Sequence, residues 1–315
     1  MAVFTSIEDL GRSTDQPIFL ALGMFDGVHA GHQAVLSKSQ EIAHENNGKA
    51  VAFTFPKHPA SFLRAETAPS LLMNKDHKAK RLIETGMDGV VLRTFDQEFA
   101  NVEGQHFPSF LIARVPTLEG LCVGENFRFG KGRTWDSHHL KTFGEEVGLT
   151  VEVVESKLYS ALPVSSSRIR EALLSGGIEE VNKMLGWHYT ISSSVQRGKG
   201  MGREFGFPTI NLPWSPEALP AFGVYVGQVT CDGEESKYAI ANYGLRPTVE
   251  EGVTKPLLEV HVLDSIEEGF GFEGSNVSMT LEAFLRPEKK FDSVDDLRIQ
   301  IKKDIIQAEE VSKKF

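Results

Sequence analysis

Two histidines three residues apart, His29 and His32, lie in the stretch Gly23-Met24-Phe25-Asp26-Gly27-Val28-His29-Ala30-Gly31-His32. An apolar run, Ile18 to Leu22, precedes them, and a helical pattern, Gln33 to Asn46, follows. That order sets both imidazoles on the first turn of a helix. The free N–H groups and partial positive charge there suit a phosphate. Gly31 removes a side chain where the backbone must come close. The spacing also allows a zinc pair, although no third ligand lies nearby, or two histidines that only cap the helix. A second set of donors stands in Pro163-Val164-Ser165-Ser166-Ser167-Arg168-Ile169-Arg170. Three hydroxyls opening a helix, with Arg170 able to fork onto a phosphate, complement the histidines. An ordinary serine cap beside surface arginines would look the same; the two motifs together favour a nucleotide.

The second half of the chain carries different chemistry. In Gly198-Lys199-Gly200-Met201-Gly202-Arg203, glycines at alternate positions predict a loop that turns successive N–H groups inward as an anion nest, unless it is a plain hairpin turn. The stretch is neither a Walker loop nor a dinucleotide fingerprint. Thr209 and Asn211 alternate outward from one extended segment, so a hydroxyl and an amide oxygen can share a hard cation such as Mg²⁺. In Leu258-Glu259-Val260-His261-Val262-Leu263 a strand would put Glu259 and His261 on one face and Val260 and Val262 on the other. A carboxylate beside a substrate hydroxyl is a general base; a solvent-facing glutamate is the plain alternative.

The elements that must hold these groups follow from hydrophobic periodicity. Short apolar runs centre near residues 20, 52, 90, 121 and 152, a spacing of about 30 that fits a strand, a crossover helix and the next strand. Continuous apolar strands alternating with helices predict a doubly wound α/β domain with a parallel sheet, residues 1–184. Its ligand site belongs beyond the carboxyl ends of the strands, where both phosphate motifs fall. After Trp187 strand-like pieces follow one another without helices, predicting a small antiparallel barrel or sandwich in residues 185–315. Ser293 followed by Asp295 and Asp296, with apolar positions at Val294, Leu297, Ile301, Ile305 and Ala308, predicts a closing amphipathic helix.

Composition bounds the partners. The 315 residues are 41% hydrophobic and 24% charged, an ordinary globular mixture. A formal charge of −10 gives no broad basic surface for nucleic acid or an anionic membrane. Cys122 and Cys231 make neither a CxxC pair nor a disulfide framework. The early residues include Glu8 and Asp9 and lack the basic and apolar regions of a secretory leader. The expectation is a cytoplasmic protein, a monomer or weak homo-oligomer, with small-molecule substrates and no nucleic-acid or membrane partner.

Gly23-x-Phe25-Asp26-Gly27-x-His29-x-Gly31-His32, together with Ser165-Ser166-Ser167-x-Ile169-Arg170, resembles the HxGH nucleotidyltransferase superfamily. Gly124-Glu125-Asn126-Phe127-Arg128-Phe129-Gly130 resembles the flavin-site segment of the prokaryotic bifunctional riboflavin kinase/FMN adenylyltransferase family, also called FAD synthetase. Gly206-Phe207-Pro208-Thr209-Ile210-Asn211 is similar to the flavokinase signature, and Asn242 to Thr248, Glu259-Val260-His261 and Leu285 to Glu288 match further landmarks in order. The resemblance implies a Rossmann-like adenylyltransferase domain and a six-stranded riboflavin-kinase barrel with a terminal helix. The barrel would phosphorylate riboflavin to FMN with ATP, and the other domain would adenylylate FMN to FAD with release of pyrophosphate. By the same resemblance, His29 and His32 stabilise the transferring α-phosphate, with Gly23, Phe25, Asp26, Gly31, Ser165, Ser166, Ser167 and Arg170 around the ATP. Asn126 and Arg128 hold the flavin. In the barrel Gly200, Gly202 and Arg203 meet the nucleotide, Thr209 and Asn211 hold Mg-ATP, and Glu259 activates the ribityl hydroxyl. The chain departs from the family at Pro56-Lys57 after Thr54-Phe55, where an acidic residue is usual, and at Asn126, Trp135, Ser167, Trp187-His188, Ile210 and Phe270. Two alternatives follow: a kinase with a weakened adenylyltransferase half, or a flavin-binding regulator.

Overall fold

In the computed structural model, residues 2–198, 201–247, 254–264 and 270–313 are described. The chain forms two compact units, dividing between Ser166 and Ser167.

The first unit is built on a six-stranded, all-parallel sheet. Its order is Ala2–Phe4, Gly89–Leu92, Lys49–Thr54, Ile18–Leu22, Leu118–Gly124, Thr150–Val154. Five of these strands coincide with the apolar runs; the three-residue edge strand Ala2–Phe4 is too short to show a period. All five residues of Ile18–Leu22 are buried, as both faces of a doubly wound sheet require. Starting from that strand the chain builds outward to one side through Lys49–Thr54 and Gly89–Leu92. It then crosses back to lay Leu118–Gly124 on the other side. The reversal is a topological switch point, and the strand beside it leads directly to His29. The core packs Leu20, Leu22, Phe53, Val91, Leu121 and Val123, all nearly inaccessible, against the helices.

The second unit holds a six-stranded antiparallel sheet ordered Thr190–Ser194, Asn276–Pro287, Gly223–Cys231, Lys237–Pro247, Thr254–Val262, Ile210–Pro213. Its two edges come back together. Ser193 Oγ donates to the Pro213 carbonyl at 2.7 Å, and an isolated bridge joins Gln196 to Asn211. The sheet is thus a nearly closed barrel. Ser293 caps the helix Val294–Ser312 by accepting from the Asp296 N–H, as its sequence predicts.

The compact division falls earlier than the expected 184/185 boundary because two helices, Ser166–Leu174 and Ile178–Leu185, bond to the barrel. Asn182 donates through Nδ2 to the Leu281 carbonyl and accepts through Oδ1 from the Tyr189 N–H, while the Ala221 N–H donates to the Leu173 carbonyl.

Candidate active sites

At the exit of strand Ile18–Leu22 the chain turns through two left-handed residues and a left-handed glycine: Phe25 (φ 48°), Gly27 (φ 84°) and Val28 (φ 39°). Phe25 folds back so far that a Cβ on Gly23 would lie 2.8 Å from its ring, which fixes glycine at that position. The turn ends at His29, the N-cap of helix Ala30–Glu45, whose Nδ1 accepts from the His32 N–H at 3.2 Å. An accepting Nδ1 carries no proton, so the neutral ring bears its hydrogen on Nε2, leaving a donor available to a phosphate. The two rings stack with centroids 3.6 Å apart, and Phe25 meets His32 edge-on. Gly31 leaves room for the first ring: a Cβ there would press to 3.2 Å on His29.

Burial dominates the electrostatics. His29 is 6% exposed, and desolvation lowers its pKa to about 4. Desolvation also pushes His32 well below its ordinary value, helped by the neighbouring His29 and by Lys78. Both imidazoles are therefore neutral near pH 7. Part of the His32 surface is exposed, but its Nδ1 is buried and has no hydrogen-bond partner among the described residues.

The other expected phosphate residues are placed unevenly. Asp26 is buried, and Oδ1 accepts from the Leu72 N–H at 2.9 Å. Its carboxylate thus tethers Leu72 to the histidine turn. Ser166 Oγ donates to the Asp26 carbonyl, so the serine motif closes back on the histidine turn. Ser165 lies beside it, half-buried; Ser167, exposed, and Arg170, half-buried, lie beyond the division between the units.

Asn126 and Arg128 follow the neighbouring strand Leu118–Gly124. Asn126 Nδ2 donates to Ser156 Oγ, and Arg128 pairs with Asp136 at 3.2 Å across a short hairpin. A hydrogen bond from His139 holds the Asp136 carboxyl down at about 2, keeping it an anion for Arg128. Trp135 packs so closely on Gly104 that a Cβ there would overlap its indole.

In the barrel, strand register sets three polar side chains in a row: Asn211 pairs with Glu259, and Glu259 with Asn242. Two cavities flank the row. One, of about 480 Å³, is lined by Arg197, Gly198, Gly202, Arg203, Thr209, Asn211 and Glu259. The other, of about 260 Å³, is walled by Phe205, Phe207, Val224, Ile240, Phe291, Leu297 and Ile301, and also reached by Asn242 and His261. Gly202, Thr209 and Glu259 line both. His261 Nδ1 donates to the Pro208 carbonyl at 2.8 Å, holding the residue before Thr209.

The nest expected of the glycine loop turns on Lys199 and Gly200, which lie outside the described residues. Of the described glycines neither Gly198 nor Gly202 is left-handed, and Gly202 lies in a helical turn, Met201–Glu204. Both are needed for close approach. A Cβ on Gly198 would overlap the Asn211 amide, and one on Gly202 would come within 3.1 Å of Thr209 Oγ1. Gly200 and Thr248 lie outside the described residues. Sequence reasoning passed over Arg197 and the cross-strand role of Asn242, which only the pairing register reveals.

Paired imidazoles at a switch point, and a carboxylate between two cavities of a barrel, define an enzyme that transfers phosphate-bearing groups. A family model described as FAD synthetase matches residues 11–168, and one described as riboflavin kinase matches 185–312. The chain belongs to the bifunctional riboflavin kinase/FMN adenylyltransferase family. It is 33% identical to the Escherichia coli K12 member, covering 98% of this chain and 97% of that one. It is likewise 33% identical to the Haemophilus influenzae member, with 91% of each covered. A solved structure named a macrolide-efflux protein, from Streptococcus pneumoniae, superposes with a TM-score of 0.84 at 26% identity, covering 99% of this chain and 98% of its own. Among the described residues no helix is long and apolar enough to cross a membrane.

Proposed function

We propose that the family's two activities divide along the chain, with riboflavin kinase in residues 185–315, inside the second unit, and FMN adenylyltransferase in residues 1–184, which take in the first unit and the two helices that follow it. The observation that carries the kinase assignment is the carboxylate shared by two unlike cavities. The larger, with Arg197, Arg203, Thr209 and Asn211, suits the triphosphate of ATP; the smaller, walled by aromatic and aliphatic side chains, suits a flavin ring. Glu259 at their common wall takes the proton of the ribityl 5′-hydroxyl as its oxygen attacks the γ-phosphorus, giving FMN and ADP.

The hydroxyl of Thr209 and the amide oxygen of Asn211 are hard donors facing the nucleotide cavity, and they fit a Mg²⁺ ion carried by the phosphates. When bound, the ion neutralises developing phosphate charge.

In the first unit the neutral imidazoles of His29 and His32 hydrogen-bond the α-phosphate as an FMN phosphate oxygen attacks it and pyrophosphate leaves. Positioning and electrostatics supply the rate, with no covalent enzyme intermediate. Gly23, Phe25 and Gly31 shape the turn. Ser165, Ser166, Ser167 and Arg170 serve the ATP, while Asn126 and Arg128 meet the flavin. The free, buried cysteines support a cytoplasmic protein, and the acidic charge one that engages neither nucleic acid nor anionic membranes.

Chromatography of riboflavin, FMN and FAD over time tests the division. Glu259→Ala is expected to abolish FMN formation while FAD still forms from supplied FMN. His29→Ala is expected to do the converse. Loss of both activities in either variant would refute separate sites.

A further inference from the structure

Lys78 has no part in the assignments above, yet its side chain is wholly buried in the first unit. It sits on helix Lys75–Glu84, and Nζ donates to the Met24 carbonyl at 3.2 Å and to the Phe55 carbonyl at 2.6 Å. Thr54 Oγ1 donates to the same Met24 oxygen at 2.8 Å. Met24 immediately precedes the left-handed Phe25 that begins the turn to His29; Phe55 leaves the adjacent strand. The ammonium thus ties together the exits of two neighbouring strands at the rim where the histidines stand. The bond from the Leu72 N–H to Asp26 tethers the same turn a second time from the same stretch of chain.

Two carbonyls could be served by neutral donors at far less desolvation cost. What a lysine adds is charge, and that charge is felt at His32, whose proton affinity it lowers. The titratable groups that lower His32 are His29, stacked on its ring, and Lys78; the edge-on Phe25 carries no charge, and the Asp26 carboxylate, which accepts from the Leu72 N–H, is the anion of the same turn.

We propose that Lys78 is a positioning residue for adenylyl transfer: its ammonium pins the turn that aims the two histidines and lends fixed positive charge to the rim that receives the triphosphate. This inference rests on assigning adenylyl transfer to the first unit.

The test compares full-length Lys78→Arg, Lys78→Gln and Lys78→Met with wild type. It measures kcat, KM and the pH profile of FAD formation from FMN and ATP. Riboflavin phosphorylation by the same preparations, and hydrogen exchange of the Ile18–Leu22 amides, monitor folding. The two neutral variants are expected to lose about 100-fold in kcat, the scale of a misplaced catalytic group. The acid limb of their pH profile moves upward, because His32 takes up a proton more readily once the like charge is gone. Lys78→Arg restores most of kcat and the wild-type limb. Undiminished kcat in Lys78→Gln, or a loss with an unmoved acid limb, overturns the proposal, and so does failure of the first unit to fold in both neutral variants. If His29→Ala abolishes FAD formation while Lys78→Gln does not, this inference alone fails. If wild type makes no FAD, the underlying assignment does.

Discussion

Replacing His29 by asparagine separates the two tasks the structure gives that side chain. As N-cap, its Nδ1 accepts from the His32 N–H. Asparagine is an equally good cap, so the helix start is expected to survive with stability near neutral pH little changed by loss of the cap. What disappears is the Nε2–H donor and the stacked ring. One donor to a developing phosphate charge is worth about 3–4 kcal/mol, so kcat for FAD formation should fall by about 10²–10³, with riboflavin phosphorylation unaffected. A second signature comes from acid. Folded His29 titrates near 4 against an ordinary value of 6.5, because burial disfavours the imidazolium. A base with a depressed folded pKa binds protons more readily when unfolded. Its neutral burial therefore costs nothing above pH 6.5, and stability is lost as the pH falls from 6.5 toward 4. At pH 5 this amounts to about 2 kcal/mol, taking 1.36 kcal/mol per pH unit. Hydrogen exchange of the Ile18–Leu22 amides at pH 7 and 5 reports the first unit alone. The wild type should lose about 2 kcal/mol more than His29→Asn on acidification. An identical acid response in the two proteins would refute a buried neutral imidazole. Undiminished FAD formation would refute its contact with phosphate.

Three further outcomes follow from the geometry. Gly198→Ala drives a Cβ into the Asn211 amide and should raise the KM for Mg-ATP in the kinase reaction while leaving FAD formation from FMN intact; steady-state kinetics of each half-reaction checks this. Arg286→Met strips the bidentate partner from buried Asp304 on helix Val294–Ser312 and is expected to destabilise the barrel by about 3–5 kcal/mol, read by urea unfolding of the mutant. Gly104→Ala overlaps Trp135, costs about 1–3 kcal/mol by overpacking, and should raise the KM for FMN in adenylylation through the Arg128–Asp136 hairpin; calorimetry and kinetics read the two effects.

Much of this was legible from residue order because the signals are local. Apolar runs at a steady spacing give a parallel sheet, and two histidines spaced across one helical turn after a strand fall at a known end of it. The same reasoning set Glu259 and His261 on one strand face, and both do line the smaller cavity. What escaped depends on distant partners. Lys78 reads as one more polar residue in an amphipathic helix; only folding reveals that it is sealed beneath the Met24 turn. Asp26 sits inside the motif, yet its carboxylate accepts from Leu72, a partner 46 residues on that spacing cannot announce. Gly198 and Gly202 were recognisable as special, but two different demands, an unusual dihedral angle and a close neighbour, both select glycine. The helices Ser166–Leu174 and Ile178–Leu185 continue the α/β rhythm of the first half, and the bonds by which Asn182 ties the second of them to Leu281 and Tyr189 are not visible in that rhythm.

The circumference of the nearly closed barrel is bridged where pairing thins to the isolated Gln196–Asn211 bridge and the Ser193–Pro213 bond. Asn211 is both a stitch in that seam, through its backbone, and part of the lining of the larger cavity. A ligand that binds the folded barrel there and not the opened one stabilises that seam, so the Gln196 amide is expected to exchange more slowly when Mg-ATP is added.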